Sequence, residues 1–313
     1  MRKISLVLIM SLLLTTFLPL CASAQETAIP MLADLDQAEI ILYGNPNGTQ
    51  AVVQRLNSLE KTLYGGTFPT SIPERVAQIN KVLTFDKQDN PSLTFQLRAD
   101  EWVAQRKISY GPFLPRLDNL EKILAGTSGQ NPVIQKMQQM NNLCFKNGIV
   151  PTASRTVAQG TLVKVEFLTP ISSGKNRVGD EVEFQVLENV VVDGAVVIPA
   201  GSKAEGQITK ISSAKGFGKD GSLEIDFKTV EAFDGTPVRL ELGDNAKQEN
   251  KNMAYAAGAS VTGAILLGPI GLVGGAFVKG RQIQIPVGSK MFLEVKDSAP
   301  VIGLAINSLA VVR

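Results

Sequence analysis

Asn252-Met-Ala-Tyr-Ala-Ala-Gly-Ala-Ser-Val-Thr-Gly-Ala-Ile-Leu-Leu-Gly-Pro-Ile-Gly-Leu-Val-Gly-Gly-Ala-Phe-Val278 contains no charged residue. A run of ~20 apolar residues rising ~1.5 Å each spans a bilayer core as one helix, so length permits a membrane crossing. Small residues recur four apart at Ala256, Ser260, Ala264 and Gly268, at Ala259 and Gly263, and at Gly271 and Gly275. Such faces let helices touch closely. Midway lies Gly268-Pro269-Ile270-Gly271, where proline removes a donor and disfavours helix before it, and glycine readily takes positive φ. This reads as a turn between two arms of ~22 and ~12 Å, each too short to cross alone. The contact-forming residues expected in the insert are Gly258, Gly263, Gly268, Pro269, Gly271 and Gly275.

The flanks choose between a kinked span and a hairpin. Ile198-Pro-Ala-Gly-Ser-Lys203 precedes the insert, Ile285-Pro-Val-Gly-Ser-Lys290 follows it, and Val157-Ala-Gln-Gly-Thr161 is a degenerate copy. Equivalent strand starts in one β domain require the chain to return to the side it left, which favours a hairpin over 252–279. A Gly/Ala-rich hairpin packed on its own domain or on a neighbouring subunit satisfies the same pattern.

Around that β domain the strand period is two. Leu162, Lys164 and Glu166 alternate with Val163, Val165 and Phe167; Glu181, Glu183 and Gln185 alternate with Val182, Phe184 and Val186. Leu223, Ile225 and Phe227 alternate with Glu224, Asp226 and Lys228. These are half-buried strands of a mostly antiparallel sheet. Asp193-Gly194, Asp220-Gly221 and Asp234-Gly235 supply hairpin turns. Closure into a barrel removes the edges of so many short strands. The fold class expected is therefore α+β: an N-terminal helical repeat region over 25–148, a linker over 149–159, and a β-barrel or sandwich over 160–313 carrying the Gly-rich apolar helical hairpin.

The helical region repeats itself. Ala38-Glu39 with Leu42-Tyr43-Gly44 recurs as Leu59-Glu60 with Leu63-Tyr64-Gly65, and Arg55-Leu56 matches Arg75-Val76. A worn echo runs from Tyr110-Gly111 through Arg116-Leu117-Asp118-Asn119-Leu120-Glu121 to Gly126. Each unit reads as one helix closed by glycine, with Leu56, Leu59 and Leu63 on one face. Short amphipathic helices must stack to bury that face. Tyr43, Gly44, Tyr64 and Gly65 are the repeat-packing residues expected; a ligand-facing tyrosine pair is the sharper reading of the same positions.

These units resemble Leu-Tyr-Gly repeats of uncharacterised envelope proteins from bacteria with an outer membrane. The resemblance implies a helical module and a location. It carries no catalytic residue.

The C-terminal half resembles the β-barrel domain of the membrane-bridging subunit of type IV secretion and conjugation machines. The carriers are Gly160-Thr161, Ile171-Ser172-Ser173, Gly179-Asp180-Glu181-Val182, Val197-Ile-Pro-Ala-Gly-Ser202 and Asp234-Gly235-Thr236, followed by the apolar insertion. In that family the insertion is a helical antenna that assembles with its copies into an outer-membrane pore. Those subunits begin with an uncleaved membrane helix and a Pro-rich spacer. Here a helical repeat stands in their place, so the resemblance implies a membrane-facing or oligomerising hairpin and not a dedicated secretion role.

Arg2 and Lys3, the apolar run Ile4 to Leu20, and Ala22-Ser23-Ala24 have the layout of a secretory signal over 1–24. In Leu18-Pro19-Leu20 before Cys21, Leu20 puts a bulky residue where lipoprotein processing takes a small one. Cleavage after Ala24 leaves Cys144 without a disulfide partner. It also leaves 29 basic against 29 acidic residues, which offers no electrostatic footprint for nucleic acid.

With no histidine in the chain, His-based triads and zincin sites are excluded and Cys144 lacks an activating base. Gly216-Phe-Gly-Lys-Asp-Gly221 matches a dinucleotide pattern, but a strand follows it where the pyrophosphate needs a helix N-terminus. Ser212-Ser-Ala-Lys215 lacks the helix and the Lys-Thr-Gly partner of its enzymes. Asp86 and Asp89 read as a solvated turn, and catalysis would need Glu183 and Asp226 brought into one cleft.

The sequence thus describes an exported, non-enzymatic envelope protein without cofactor or metal, bound to the outer membrane or to copies of itself. A periplasmic or surface module gripping cell-wall polymer or an envelope protein is the alternative.

Overall fold

The computed structural model describes residues 20–84, 86, 90–213, 222–256 and 283–308, with side chains from residue 31. Two compact units divide the chain. The first runs to Leu83 and takes in 112–114 and 130–135; the second holds 84–111, 115–129 and everything from Lys136. Helices lead and antiparallel strands follow, so the chain is α+β.

Six helices form in order: α1 Leu20–Tyr43, α2 Val52–Tyr64, α3 Ile72–Thr84, α4 Leu93–Gln105, α5 Phe113–Ala125 and α6 Val133–Cys144. In α2 the stripe Leu56, Leu59 and Leu63 is fully buried, worth about 1.5–3 kcal/mol per leucine. Helix α6 runs into extended Phe145 (φ −131°). Four of the other helices stop where a residue enters left-handed geometry and its N–H returns to the last turn. Gly44 (φ 90°), Gly65 (φ 82°) and Gly126 (φ 79°) do this, bonding to the carbonyls of Ile40, Lys61 and Lys122. Arg106 makes the same stop at φ 60° without glycine's freedom.

Among the described residues thirteen strands follow, beginning with β1 Thr152–Val157, β2 Leu162–Phe167, β3 Ile171–Ser172, β4 Glu181–Val186, β5 Val190–Val192, β6 Ala195–Ile198 and β7 Lys203–Ser212. Next come β8 Ser222–Asp226, β9 Thr229–Glu231 and β10 Pro237–Glu241, then α7 Asp244–Ala256. The last are β11 Gln284–Ile285, β12 Lys290–Val295 and β13 Ala299–Ala305. The order β4-β2-β12-β10-β9-β7 closes on itself because β4 also pairs with β7, giving a six-strand barrel with β8 added to β7. Its interior is filled by Val163, Val165, Phe167, Val182, Phe184, Met291 and Leu293, the inward half of each alternating run. A four-stranded sheet β1-β13-β6-β5 stands beside it. Residues 149–159, read from sequence as a linker, include β1, which pairs along its length with β13.

The repeated strand-opening phrase has one physical meaning in every copy. Gly160, Gly201 and Gly288 have φ 77°, 88° and 83°. Their N–H groups bond to Val295, Val186 and Phe167 carbonyls at 2.8, 2.8 and 2.9 Å. The next residue's carbonyl takes the N–H back at 2.9 Å in each case. A fourth copy lacks the phrase: Gly179 (φ 97°) bonds to Ile208, and Ile208 bonds back to Asp180. The leading turns of β2 and β12 therefore clasp each other's far ends; that of β7 clasps the far end of β4, and that of β4 clasps the middle of β7 at Ile208.

Candidate functional site

Two places answer to the expected site residues: the root of the insert and the repeat turns.

The insert residues Gly258, Gly263, Gly268, Pro269, Gly271 and Gly275 lie outside the described residues. The chain is described up to Ala256 and again from Ile283, and both stretches belong to the second unit. Departure is through α7, a polar helix absent from the sequence reading. Its N-terminus is held by Glu294, a buried carboxylate on β12 that accepts the Ala246 N–H at 2.9 Å. An acid at that end of a helix satisfies free donors and the helix dipole. Gly243 makes room for it, since a Cβ there would lie 1.7 Å from Glu294 Oε1. Further on, the Asn250 side chain accepts the Phe292 N–H at 2.7 Å and donates to the Phe292 carbonyl at 2.9 Å. β10 pairs only with the end of β12, at Glu294 and Val295. The amide of Asn250 thus acts as the missing strand partner for Phe292.

From Ala246 beside Glu294 to Asn250 beside Phe292, α7 runs antiparallel to β12, toward the end where the chain comes back. Ile283 is fixed on arrival: its N–H bonds to Ser173 Oγ at 2.9 Å and its carbonyl accepts the Ser173 N–H at 2.9 Å. β11 then pairs with β3.

At the repeats, Tyr43 is exposed and its Oη lies 2.9 Å from Thr62 Oγ1. Tyr64 packs edge-on to Phe68 with centroids 4.9 Å apart, and burial followed by the Glu60 charge raises its pKa. A Cβ on Gly44 would meet Pro112 at 2.7 Å, and one on Gly65 would meet Pro132 at 2.8 Å.

What sequence reasoning missed is the pairing beneath these turns. Glu39 receives Arg55 Nε at 3.0 Å and Nη2 at 2.7 Å. Glu60 receives Arg75 at 2.7 and 2.8 Å, Glu101 receives Arg116 at 3.1 and 2.7 Å, and Glu121 receives Lys136 at 2.9 Å. Acid and base are separated by 16, 15, 15 and 15 residues. The first three acids also accept the backbone N–H eight residues on, at Asn47, Phe68 and Ser109. Glu121 instead takes the Ser128 hydroxyl. Arg55 also pairs with Asp36, and Lys136 with Asp118. The bonds from Glu60 hold the Arg75 pKa above its usual value against the opposing effect of burial. Two clamps lie in each unit. The signal was present as Glu39 and Glu60 in matching places beside Arg55 and Arg75.

The remaining candidates are occupied structurally. Glu183 pairs with Lys203 at 3.2 Å, while Asp226 accepts the Lys228 N–H. Asp86 is half-buried and accepts the Ser92 N–H at 2.6 Å, so it anchors the start of α4 and is not a solvated turn residue; Asp89 lies outside the described residues. Cys144 is buried, and burial with the nearby Asp100 pushes its thiol pKa up, leaving an inert thiol. The Gly216–Gly221 loop falls outside the described residues, and β8 follows it. Arg155, in a shallow groove beside β1 and β13, donates to the carbonyls of Ser154 and Asp193. Among the described residues no group of His, Cys, Asp and Glu is arranged to hold a metal. Among them, too, no helix is long and apolar enough to cross a membrane.

No family model matches the chain, and no curated protein does. Among solved structures it is similar to ComB10 of the Com type IV secretion system of Helicobacter pylori, at 21% identity over 46% of this chain and 89% of that one, with a TM-score of 0.28. The match names the kind of machine that the barrel sequence resembles, but at that TM-score it carries no argument.

Proposed function

We propose that this is a non-enzymatic cell-envelope protein, exported by its N-terminal signal and held at the outer membrane, or to further copies of itself, by the insert 252–279. The observation that carries the proposal is the fastening of the chain on either side of an uncharged segment within one unit, through α7 on barrel strand β12 and through Ile283 on Ser173 beside β3. A segment so tethered leaves and returns on one side, as an anchor or an assembly element requires and a single crossing does not. Its small-residue faces supply close helix contact in lipid or between copies. The β domain is the scaffold that presents it, and the clamped helices lie in the same compartment.

Cell fractionation of the full chain beside a form lacking 253–278 tests this. The full chain is expected to sediment with membranes, resist salt extraction and require detergent, and the deletion to become soluble. Two soluble proteins would sink the anchor. Binding of cell-wall polymer or an envelope protein is the second reading, favoured by the exposed Tyr43 and Phe68 beside the repeat turns. It expects a soluble full chain that sediments with purified cell wall.

A further inference from the structure

Asp100 lies on α4 with no solvent exposure, and neither carboxyl oxygen has a hydrogen-bond partner. Nearly every other buried acid of the helical region is spent on a clamp or a cap. Asp100 follows Ala99 on α4, a member of a buried apolar cluster with Phe95, Trp102, Cys144 and Phe145, and the Cys144 thiol reaches the Asp100 backbone carbonyl. The titratable groups whose influence reaches it are Cys144 on α6 and Glu101 beside it on α4. The Cys144 thiol, which donates to that carbonyl at 3.9 Å, works against burial by favouring the charged carboxylate. Glu101 pairs with Arg116 at 2.7 Å, and its charge opposes a second negative charge nearby. Burial outweighs the opposing Cys144 thiol and, with the Glu101 charge adding to it, holds the Asp100 carboxyl well above the ordinary carboxylate range.

An ionised carboxylate without a partner in an apolar cluster is costly, and the group stays neutral or the structure opens. We infer that Asp100 is a proton-operated latch: while its carboxyl keeps the proton, the C-terminal end of α6 remains packed on α4, and loss of that proton releases it. The residues that would loosen are Cys144 and Phe145, which share the cluster with Phe233 and Leu304 of the β region of the same unit. The direction follows from linkage. An exposed aspartate ionises near ~3.9, whereas the folded group holds its proton to higher pH. The stability contribution is therefore complete below that value and is lost as pH rises toward the folded pKa. Over that window the open population grows about tenfold per pH unit. This is independent of what the insert binds.

The test is thiol labelling of the full chain from pH 5 to 9, mapped to Cys144 and corrected for the thiolate fraction of an exposed cysteine. The wild type is expected to show a corrected rate that rises about tenfold per pH unit over part of the range. Asp100→Asn, neutral at every pH, should give a flat profile. If this variant does not fold, Asp100→Ala serves as the second neutral side chain. Hydrogen exchange on the wild type needs no variant: amides at the end of α6, corrected for intrinsic base catalysis, should lose protection with rising pH while barrel amides of β2 and β12 do not. Identical corrected labelling profiles in wild type and neutral variant would overturn the latch, as would pH-independent protection of α6.

Discussion

The helical repeats and the barrel solve the same problem, joining each element to the next, with different chemistry. A strand's backbone groups point sideways, so β2 and β12 are tied by the peptide bonds themselves and by two reciprocal glycine turns. An α-helix spends its backbone bonds on itself. Helices of 13 residues such as α2 and α3 must therefore be joined by side chains. Apolar stripes alone allow them to slide. A buried Glu that holds the next helix's Arg by two bonds, and the connecting loop by a third, removes that freedom. The lesson is that the buried ion pairs of this molecule lie in the helical region, while the barrel interior is apolar.

This contrast can be broken from either side. The largest effects are expected from Glu60→Ala and Phe184→Ala. The first strands Arg75 as a buried unpaired charge, costing about 3–5 kcal/mol; the second empties the barrel interior at a similar cost of about 3–5 kcal/mol. Denaturant unfolding followed separately in the two units should show each loss in its own unit. Replacing Glu60 and Arg75 together by leucine and methionine should recover most of the first loss, because a buried pair exchanged for apolar packing is near neutral. Failure to recover would mean that the loop bond to Phe68 carries the clamp.

Smaller shifts compare two copies of one turn. Gly288→Ala places a Cβ no closer than 3.8 Å to its neighbours, so only the left-handed backbone penalty of about 1–2 kcal/mol remains. Gly201→Ala would bring Cβ within 2.2 Å of the Ile108 carbonyl oxygen, and a thermal melt should place it clearly below Gly288→Ala. The smallest effect belongs to Lys164→Ala. Its Glu188 partner is 61% exposed, so the pair itself is worth at most about 1 kcal/mol. A loss as large as that of Glu60→Ala would erase the distinction between buried and surface charge.

Local pattern made much of this legible. Period-two alternation located β2, β4 and β8, and the phrase ending in Gly-Ser-Lys located two strand starts, because both are properties of contiguous residues. The fourth turn escaped notice since Val178-Gly179-Asp180 keeps only the glycine. Glu101 with Arg116 and Glu121 with Lys136 were hidden by worn repeats, in which Tyr is lost and Lys replaces Arg. Helix α7 was missed because its polar sequence has no apolar stripe, and the Asn250 bond to Phe292 depends on two segments meeting in space. Asp100 could not be read as buried at all. An acid within an amphipathic pattern looks solvated until its neighbours are known.

One consequence of the acid-to-base interval concerns change in length. Loops usually absorb insertions and deletions at little cost, yet Phe68 is bonded to Glu60 from within the connection that leads to Arg75. Adding a single residue there would pull the two hands of the carboxylate apart. The repeats are thus measured by a ruler as well as spelled by a motif, and a graft or an evolutionary duplication would have to copy whole units, end to end, to remain in step.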